Sequence, residues 1–246
     1  MPYKYQIQTP DKEAFLRDIQ KHFAAHSHAI HEARNTIKII PYQGTSYVVK
    51  SFKIPHLLNR FVYSYFKDSK AKKSYENSLK ISDFVPAPLG YIEFYHARLI
   101  KESFFISEHF DYDFTIREVL LDDAFTDLEK ILQAFADFTF HLHEKGIYHK
   151  DYSPGNILIK KEKDVYLFKI VDINRMEFHP LSLDQRLKNF AKLWAKDTML
   201  KTITTHYAKL IHEDAHRCYT IALQYSQQHK NKTNMKKRAR GIDVVD

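Results

Sequence analysis

Apolar residues recur at helical spacing along much of the chain. Phe15, Ile19 and Phe23 follow Thr9-Pro10-Asp11 at intervals of four residues, which predicts a helix over residues 11–25 because side chains four apart share one helix face. The same pattern predicts further helices over 57–66, 70–81, 114–121, 125–145, 182–195, 198–212 and 214–229.

Strand patterns are concentrated in the first 110 residues. The turn Pro41-Tyr-Gln-Gly44 separates two apolar stretches and predicts a hairpin there. Predicted strands cover 36–40, 46–52, 90–96 and 103–110, and one later hairpin joins 157–159 to 165–171. An early antiparallel sheet followed by a mostly helical part predicts an α+β fold in two lobes, an N-lobe over 1–108 and a C-lobe over 109–246, with the seam near 108–113.

Composition is that of a globular chain with a substantial core. The 246 residues are 44% hydrophobic and 14% aromatic, and no run of eighteen apolar residues occurs. The first residues lack the apolar stretch of a signal peptide, so a cytoplasmic location is expected. The single cysteine, Cys218, excludes an internal disulfide and fits a reducing compartment.

The net charge of +8 indicates anionic partners without choosing among nucleotides, glycolipids, nucleic acids and acidic membranes. Seven basic residues lie in the C-terminal tail, residues 229–240, with no acidic counterpart. A solvated end is the simplest interpretation of this tail. Contact with an anionic membrane surface is the functional one, and nucleic-acid binding is a third.

The stretch His149-Lys-Asp-Tyr-Ser-Pro-Gly-Asn-Ile-Leu-Ile159 has the layout of a phosphoryl-transfer loop, and a second carboxylate, Asp172, ends the next apolar run. Phosphoryl transfer needs an oriented acceptor hydroxyl and metal ions that neutralise charge. Asp151 would hold the hydroxyl and take its proton. Asn156 and Asp172 would offer oxygen atoms to Mg²⁺, which is usually held by one or two carboxylates together with substrate phosphates.

The loop residues would also suit an ordinary polar turn, since Asp, Ser, Pro, Gly and Asn all favour turns. Their context favours the catalytic interpretation. An amphipathic helix precedes the loop, and a predicted hairpin that ends in Asp172 follows it. This is the order in which a kinase C-lobe arranges these parts.

Three stretches together give the chain a family resemblance. They are Tyr47-Val-Val-Lys50-Ser-Phe-Lys, then Ser69 to Asn77 with Val85-Pro-Ala-Pro88, and the loop with Val171-Asp-Ile-Asn-Arg175. Over residues 25–200 the chain resembles the protein-kinase-like superfamily, and within it the bacterial lipopolysaccharide kinase (Kdo/WaaP) family. The resemblance implies a two-lobed kinase fold and the use of ATP and Mg²⁺.

The resemblance also implies a nucleotide site. Lys50, near the end of a strand, would contact the α- and β-phosphates, and Glu76 on the next suitable helix would hold that lysine in place. The segment from Glu108 to Phe110 would enter the interlobe hinge and line the adenine pocket. The alternative interpretations are an ordinary strand-edge lysine and a surface glutamate.

The chain departs from the protein-kinase pattern at several points. No glycine-rich loop precedes the first predicted strand, so Arg34 or backbone amides near His28 would have to cover the phosphates. The cluster of His26, His28 and His31 is interpreted as solvated rather than metal-binding. Lys150 stands where protein kinases have arginine, and Ser153 where many have lysine.

The segment after Asp172 is too short for a protein kinase. Asp172-Ile-Asn174 lacks the usual glycine, and about ten residues separate it from the next predicted helix. No platform for a peptide substrate fits into that length.

The leading hypothesis is therefore an ATP- and Mg²⁺-dependent phosphotransferase of the bacterial cell envelope. By the resemblance, its acceptor is a hydroxyl of an inner-core sugar (Kdo or heptose) on an anionic glycolipid at the inner face of the inner membrane. The alternatives are a small-molecule or protein kinase of the same fold, a nucleotide-binding pseudokinase, and a basic nucleic-acid-binding protein, for which no recognised module is visible.

Overall fold

The computed structural model describes residues 2–32, 35–53 and 57–242. The chain divides into two compact units, of which the first contains residues 1–111 together with 172–174, and the second 112–171 together with 175–246. The sequence placed the boundary after residue 108 and did not anticipate that residues 172–174 group with the first unit.

The first unit is a six-stranded sheet with helices. Its strands are β1 (Tyr3–Ile7), β2 (His31–Glu32), β3 (Asn35–Tyr42), β4 (Thr45–Phe52), β5 (Pro88–His96) and β6 (Leu99–Glu108). Its helices are α1 (Glu13–Arg17), α2 (Ile19–Ala25), α3 (Leu57–Tyr65) and α4 (Lys70–Lys80), with 3₁₀ turns at Pro10–Lys12 and Ser82–Phe84. The strands lie in the order β1-β5-β6-β4-β3-β2, and every neighbouring pair is antiparallel.

The hairpin between β3 and β4 is tighter than predicted. Tyr42 pairs with Thr45, so the connection is the two residues Gln43 and Gly44, with φ of 49° and 80°. Positive φ at both positions is typical of a type I′ turn, whose twist matches that of the strands. The hairpin therefore needs a residue such as glycine at position 44.

Helices cover both faces of this sheet because side chains alternate between the faces along each strand. One core lies between α1, α2 and the sheet, and its buried members are Phe15, Leu16, Ile19, Ile40, Tyr47, Val49, Leu89, Ile92, Phe94, Phe104 and Ile106. On the other face Ala71 and Tyr75 of α4 pack against Phe52 and Tyr91. Position 50 shares the face of Phe52, so the strand directs Lys50 toward the α4 side.

The second unit is mostly helical. Its helices are α5 (Ile116–Leu121), α6 (Leu128–Glu144), α7 (Leu183–Asn189), α8 (Asp197–Leu210) and α9 (Ala215–Arg238), with 3₁₀ turns at Pro154–Asn156 and Phe190–Leu193. Its strands are β7 (Phe114–Thr115), β8 (Ile147–His149), β9 (Ile157–Glu162), β10 (Val165–Ile170) and β11 (Met176–Phe178). They form a three-stranded sheet, β10-β9-β7, and the pair β11-β8.

Several sequence-based boundaries are corrected by the structure. The helix expected over 11–25 is interrupted at Asp18, and the one over 182–195 becomes α7 and a 3₁₀ turn that ends at Trp194, whose φ is 57°. The last helix continues to Arg238, so most of the basic tail is helical. The prediction of a single late hairpin missed β7, β8 and β11, which are only two or three residues long.

The strand β1 was also missed, although Tyr3, Tyr5 and Ile7 alternate with polar residues as in a strand. Cys218 is fully buried on α9, and burial raises the pKa of its thiol. In the described part of the chain, no helix combines the length and the apolar character needed to cross a bilayer.

Candidate phosphoryl-transfer site

The loop that contains Asp151 connects β8 to β9 in the second unit. Pro154 begins a 3₁₀ turn that ends at Asn156. Proline suits the first position of such a turn because its φ is already fixed and because the N–H that it lacks would have no partner there. Asp151 is half-buried, which suits a side chain that must meet both the protein and a substrate.

His149 fixes the backbone at Asp151. The buried imidazole accepts the Asp151 N–H at Nδ1 over 3.0 Å, so the neutral ring carries its proton on Nε2 and donates it to the Val171 carbonyl at 3.0 Å. One side chain thus ties the loop to the residue that precedes Asp172.

Asn156 closes the loop from its other end. Its Nδ2 donates to the Asp151 carbonyl at 3.0 Å, and its own carbonyl accepts from the Val171 N–H at 2.9 Å. The Ser153 N–H donates to the same Asp151 carbonyl at 2.7 Å. Because Nδ2 is used within the loop, the amide is oriented so that Oδ1 is the atom left to offer a ligand.

Tyr152 anchors the loop in the core of the second unit. Its side chain is fully buried and stacks on Phe135 of α6, with ring centroids 5.8 Å apart. Its hydroxyl meets the Thr139 hydroxyl at 2.9 Å, and burial raises the pKa of Tyr152 well above its usual value. Asp151 is therefore attached to a residue that cannot move without opening the core.

A buried polar network of side chains from α6, α7 and α8, which the sequence did not reveal, holds the backbone at the start of the loop. Asn189 Nδ2 donates to the His149 carbonyl at 2.9 Å, and Asn189 Oδ1 accepts from His143 Nε2 at 3.0 Å. His143 Nδ1 accepts from the Tyr207 hydroxyl at 2.7 Å. Burial lowers the pKa of His143 to about 4, so this imidazole is neutral at pH 7. The only signal in the sequence was polar residues at core positions of predicted helices.

Lys192 is a second residue that the sequence did not indicate. Its Nζ lies 3.2 Å from Asp151 Oδ1 and also donates to the Lys150 carbonyl. It comes from the 3₁₀ turn after α7, forty-one residues along the chain from Asp151. An ammonium group is thereby placed next to the candidate base although Ser153 occupies the position where many protein kinases carry a lysine.

In the first unit, Lys50 and Asp172 form an ion pair. Lys50 Nζ lies 2.7 Å from Asp172 Oδ1, and the lysine side chain is only 12% exposed. The aromatic ring of Phe52 lies 5.3 Å from the same ammonium. Lys50 and Asp172, which the sequence analysis expects to contact the same nucleotide and its metal, are therefore brought together.

Asp172 has a left-handed backbone conformation, with φ of 57°. Aspartate tolerates this conformation better than most residues, and uncommon backbone conformations are concentrated at functional sites. Asn174 Nδ2 donates to Asp172 Oδ1 at 2.6 Å, so the asparagine in place of the usual glycine orients the carboxylate.

Lys50 and Glu76 are not brought together. Glu76 lies 3.6 Å from Lys72, one turn away on α4, and Lys72 in turn pairs with Asp68. The hydrogen bond that Lys72 donates to Asp68 raises the pKa of Lys72. The physical reason is the orientation of α4, whose buried face contains Ala71, Ser74, Tyr75 and Ser78 and leaves position 76 at its margin.

Asn77 is the residue of α4 that contacts residues 172–174, the segment that contains the candidate metal ligand Asp172. Its Nδ2 donates to the Ile173 carbonyl at 2.7 Å. The sequence reasoning missed this asparagine because it searched the helix only for a carboxylate.

The segment Glu108 to Phe110 leaves β6 as expected, but two of its amides are already bonded. The Glu108 N–H donates to the Ala87 carbonyl at 2.8 Å, and the His109 N–H donates to the Ser46 carbonyl at 2.8 Å. Phe110 is half-buried and is the first residue past β6 that lies outside these pairings.

The candidates for covering the phosphates are only partly within the described residues. Arg34 lies outside them, as does the side chain of His31. His28 is exposed, and His26 Nδ1 bonds to the His22 carbonyl at 2.8 Å. No group of three or more His, Cys, Asp or Glu side chains within residues 2–32, 35–53 and 57–242 is placed to hold a metal ion.

Asp172 in the first unit and Asn156 in the second each have the chemistry of a magnesium ligand. Each can present a hard oxygen atom, and Mg²⁺ commonly takes only one or two protein ligands, with water and phosphate oxygens for the rest. Asp172 remains 32% exposed, which leaves its carboxylate within reach of a ligand. By its chemistry, each side chain taken alone fits a nucleotide-bound magnesium ion.

The segment after Asp172 is short and paired. Ten residues separate Asp172 from the first residue of α7, and three of them form β11, which pairs with β8. The Lys150 N–H donates to the Arg175 carbonyl at 3.0 Å, which ties the segment to the residue before Asp151.

Comparisons with known proteins identify the fold through solved structures. No protein-family model matches the chain. No curated protein matches it in sequence either. A structure of WaaP in complex with acyl carrier protein matches with a TM-score of 0.62 and 13% identity, and the match covers 94% of this chain and 98% of that one. A Rio2 kinase complex with ADP, Mg²⁺ and phosphoaspartate from Chaetomium thermophilum has a TM-score of 0.49 and 17% identity, over 90% of this chain and 71% of that one.

The WaaP match extends over nearly the whole of both chains, so it concerns the complete fold and not one motif. At 13% identity it shows the fold alone. The chain therefore has the protein-kinase-like fold that the sequence predicted, with an antiparallel sheet in its N-terminal part and a mostly helical C-terminal part.

Proposed function

We propose that this protein is an ATP- and Mg²⁺-dependent kinase that phosphorylates a hydroxyl group of a small or glycolipid acceptor. The observation that carries the proposal is the loop around Asp151. His149, Asn156 and Ser153 fix its backbone by five hydrogen bonds, while the Asp151 carboxylate itself meets only the ammonium of Lys192 among the described residues.

Asp151 is proposed as the catalytic residue that orients the acceptor hydroxyl and receives its proton. Phosphoryl transfer depends mainly on positioning and on stabilisation of charge, so a carboxylate on a rigid backbone is what the reaction needs. The buried Tyr152 next to it supplies that rigidity.

Lys50, Asp172 and Asn156 are proposed to hold the nucleotide and its metal. The Lys50 ammonium would bind phosphate oxygens, and Asp172 with Asn156 would ligate Mg²⁺, which neutralises charge on the phosphates when it is bound. We keep Glu108 and Phe110 as residues of the adenine pocket.

Glu76 keeps a proposed role at the nucleotide site, although Lys72 is its partner in this structure. Its present pair with Lys72 is half-exposed, and such pairs contribute only about 0–1 kcal/mol, so Glu76 loses little when it leaves Lys72. A pair with Lys50 would require a movement of α4 toward the existing pair of Lys50 with Asp172.

The acceptor proposed first is a sugar hydroxyl of the lipopolysaccharide inner core, Kdo or heptose. The likeness to WaaP in fold, together with the sequence resemblance, supports this choice. The paired ten-residue segment after Asp172 supports a small acceptor over a peptide, since a peptide substrate needs a longer platform.

Two further points belong to the same proposal. The basic tail would hold the enzyme at an anionic cytoplasmic membrane surface, where each basic residue contributes about 1 kcal/mol. A partner such as acyl carrier protein, which is present in the WaaP structure, is proposed for this chain on the same likeness. Mass spectrometry of the complex isolated under mild conditions would identify such a partner.

The experiment that tests the function is transfer of labelled phosphate from ATP. The purified chain is incubated with Mg²⁺ and dephosphorylated core glycolipid, and with monosaccharide, aminoglycoside and protein acceptors in parallel. We expect transfer to the glycolipid and a loss of about 10²–10⁴-fold in the Asp151→Asn variant, the usual range for general acid–base catalysis.

Asp137→Asn is a matched control, because Asp137 pairs with His206 on the surface of the second unit and has no part in the proposed reaction. Undiminished transfer by Asp151→Asn would refute the assigned role. Transfer to another acceptor class alone would retain the kinase and replace its substrate.

A further inference from the structure

A pocket of about 300 Å³ lies beside the Asp151 loop in the second unit. It is formed by β8, the loop, α7 with the 3₁₀ turn that follows it, and α9. Its lining contains the four lysines Lys150, Lys188, Lys192 and Lys232, which belong to three different parts of the fold. We refer to it as the lysine pocket.

The lining of the lysine pocket carries no carboxylate. Besides the lysines it consists of Tyr148, Asn189, Ala191, Tyr225, Gln228 and His229. Four ammonium groups around so small a volume repel one another, and this arrangement is favourable only where an anion or solvent balances the charge. The positive potential also reaches His229, whose pKa is lowered by burial and by the neighbouring Lys192.

Two of the four lysines have carboxylate partners. Lys150 pairs with Glu177, and Lys192 pairs with Asp151. Lys188 instead lies over the ring of Tyr225, 5.2 Å from its centroid, and neither Lys188 nor Lys232 has an Asp or Glu oxygen within 4.0 Å in the described part of the chain. These two ammonium groups are therefore able to bind an external anion.

Helix α9 presents a continuous face to the lysine pocket. Gln228, His229 and Lys232 lie three, four and seven residues after Tyr225, which places all four on one side of the helix. Cys218 and Ala222 precede Tyr225 on this same side of α9 and are buried, and the side becomes polar from Tyr225 onward. The Tyr225 hydroxyl donates to Asp184 at 2.6 Å and can still accept a hydrogen bond. Glutamine and histidine can donate and accept, so this part of the helix suits sugar hydroxyls.

Lys192 connects the lysine pocket to the candidate base. It lines the pocket and at the same time lies 3.2 Å from Asp151 Oδ1. A molecule bound there would have an anionic group on the lysines and its neighbouring atoms next to Asp151.

We propose that the lysine pocket binds a phosphate or carboxylate group carried by the acceptor, and thereby brings a nearby hydroxyl of the same molecule to Asp151. The proposal rests on the proposed function, because it concerns the acceptor of that reaction. The volume is at the lower end for small-molecule sites and fits one sugar unit with its anionic group. Lys188 and Lys232 are binding residues, and Lys192 is a positioning residue between the anion and Asp151.

Direct binding can be measured without ATP. Trp194 is the only tryptophan of the chain, and its ring lies 5.9 Å from that of His229 in the pocket wall, so its fluorescence reports on occupancy. The full chain is titrated with glucose 6-phosphate, glucuronate and glucose. We expect a saturable change with at least one of the two anions and none with glucose. The more effective anion identifies the phosphate or the carboxylate as the recognised group.

The informative variant is Lys188→Gln/Lys232→Gln. Both side chains are exposed, so the core is unchanged, and circular dichroism confirms folding. Its matched control is Lys201→Gln/Lys209→Gln, which removes two exposed lysines of α8 and the same charge. We expect the pocket variant to raise the Kd of the anion about tenfold or more, and the control about twofold at most, since a hydrogen bond to a charged group contributes about 1.5–3 kcal/mol.

The proposal would be overturned if the two double variants had the same Kd for the anion. It would also be overturned if glucose bound as tightly as the anions. In the transfer assay the pocket variant should raise the KM for the acceptor and leave the KM for ATP unchanged. A parallel rise in the KM for ATP would also overturn it, because the pocket would then serve the nucleotide.

The two proposals fail in different ways. Transfer that the pocket variant does not impair refutes the lysine pocket and leaves the kinase function standing. Anion binding that the pocket variant weakens, without transfer to any acceptor, supports the pocket as an anion site and refutes the kinase function.

Discussion

At the scale of single residues, the candidate site depends on a few side chains whose backbone positions are fixed from both sides. Asp151 and Asp172 could be named as candidates from the sequence because the chemistry of phosphoryl transfer restricts which residue types can serve and how far apart they lie. Lys192 and Asn77 could not, since each reaches its target from a remote helix or turn and sequence separation conceals such proximity.

The ion pair of Lys50 with Asp172 leads to the first prediction. Lys50→Met should lower kcat/KM for ATP by about 10²–10³-fold, the usual loss when one charged or hydrogen-bonding group is removed from a preorganised site. Steady-state kinetics at saturating acceptor measure this effect.

Lys53→Met is the matched control, because Lys53 follows the same strand but is exposed. Its kinetics should stay within about twofold of wild type, as for most surface substitutions. If Lys50→Met had the same kcat/KM for ATP as the wild-type protein, the assignment of Lys50 to the nucleotide site would be wrong.

At the scale of elements, strongly periodic helices and the β3–β4 hairpin were predictable, and the shortest strands were not. β8 and β11 have three residues each and exist because they pair with each other across the Asp151 loop. Two or three residues carry no measurable periodicity, so only the tertiary partner defines such strands. The first helix is divided at Asp18, whose φ of −92° and ψ of 12° are not helical, and Phe15 and Ile19 on either side of it both enter the core.

The turn between β3 and β4 leads to the second prediction. Gly44→Ala should lower the free energy of unfolding by about 1–2 kcal/mol, since a Cβ is unfavourable at the left-handed φ of 80°. Apart from the two chain neighbours, no heavy atom of the described residues lies within 4 Å of the added methyl group, so the loss would come from the backbone alone. Urea denaturation followed by circular dichroism measures it.

Gly44→Asn tests the cause, because asparagine tolerates the left-handed conformation. It should lose clearly less stability than Gly44→Ala. Equal losses in the two variants would point to a cause other than the backbone conformation.

The buried His143 between α7 and α8 leads to the third prediction. Its pKa is about 4 in the folded chain and close to 6.5 when unfolded, so between these values the unfolded chain binds the additional proton. The stability that this residue contributes is complete above pH 6.5 and is lost as the pH falls toward 4. Between pH 7.5 and pH 5.0 the loss should be about 2 kcal/mol.

Urea denaturation at the two pH values measures this difference, and His143→Gln is the comparison because glutamine forms hydrogen bonds without titrating. Between the two pH values, the free energy of unfolding of the variant should fall by about 2 kcal/mol less than that of the wild-type protein. Among the charged groups, Arg186 lowers the pKa of the imidazole and Glu144 raises it, and burial outweighs both. An identical pH dependence in the two proteins would show that His143 is not the titrating group.

At the scale of the whole molecule, fold class was predictable from the order of the elements, and the acceptor was not. The sequence of helix, loop, hairpin and terminal carboxylate restricts the fold to few alternatives. The residues proposed to recognise the acceptor, such as Lys188 and Lys232, lie on separate helices and line one pocket only after folding.

The fourth prediction concerns nucleotide binding by the whole chain. ATP with Mg²⁺ at one hundred times its Kd should stabilise the protein by about 2.7 kcal/mol, because a ligand that binds only the folded state shifts the unfolding equilibrium. Thermal denaturation with ATP, with and without Mg²⁺, measures the shift in Tm.

Asp172→Ala should keep a shift with ATP alone and lose the additional shift due to Mg²⁺. Absence of any shift in the wild-type protein would favour a pseudokinase that has lost nucleotide binding. If Asp172→Ala kept the full additional Tm shift due to Mg²⁺, Asp172 would not be the metal ligand.

The paired segment between Asp172 and α7 has a consequence for how the proposed kinase activity would be controlled. Its residues, 173–182, include a single hydroxyl side chain, that of Ser182, and this oxygen accepts the Gln185 N–H at the start of α7. Many signalling kinases are turned on when a phosphate is added to this part of the chain and orders it. Here the segment is ordered by strand pairing, and phosphorylation of its one hydroxyl would break a helix cap. We therefore expect a constitutively active protein, whose output in the cell is set by its abundance and by the supply of acceptor.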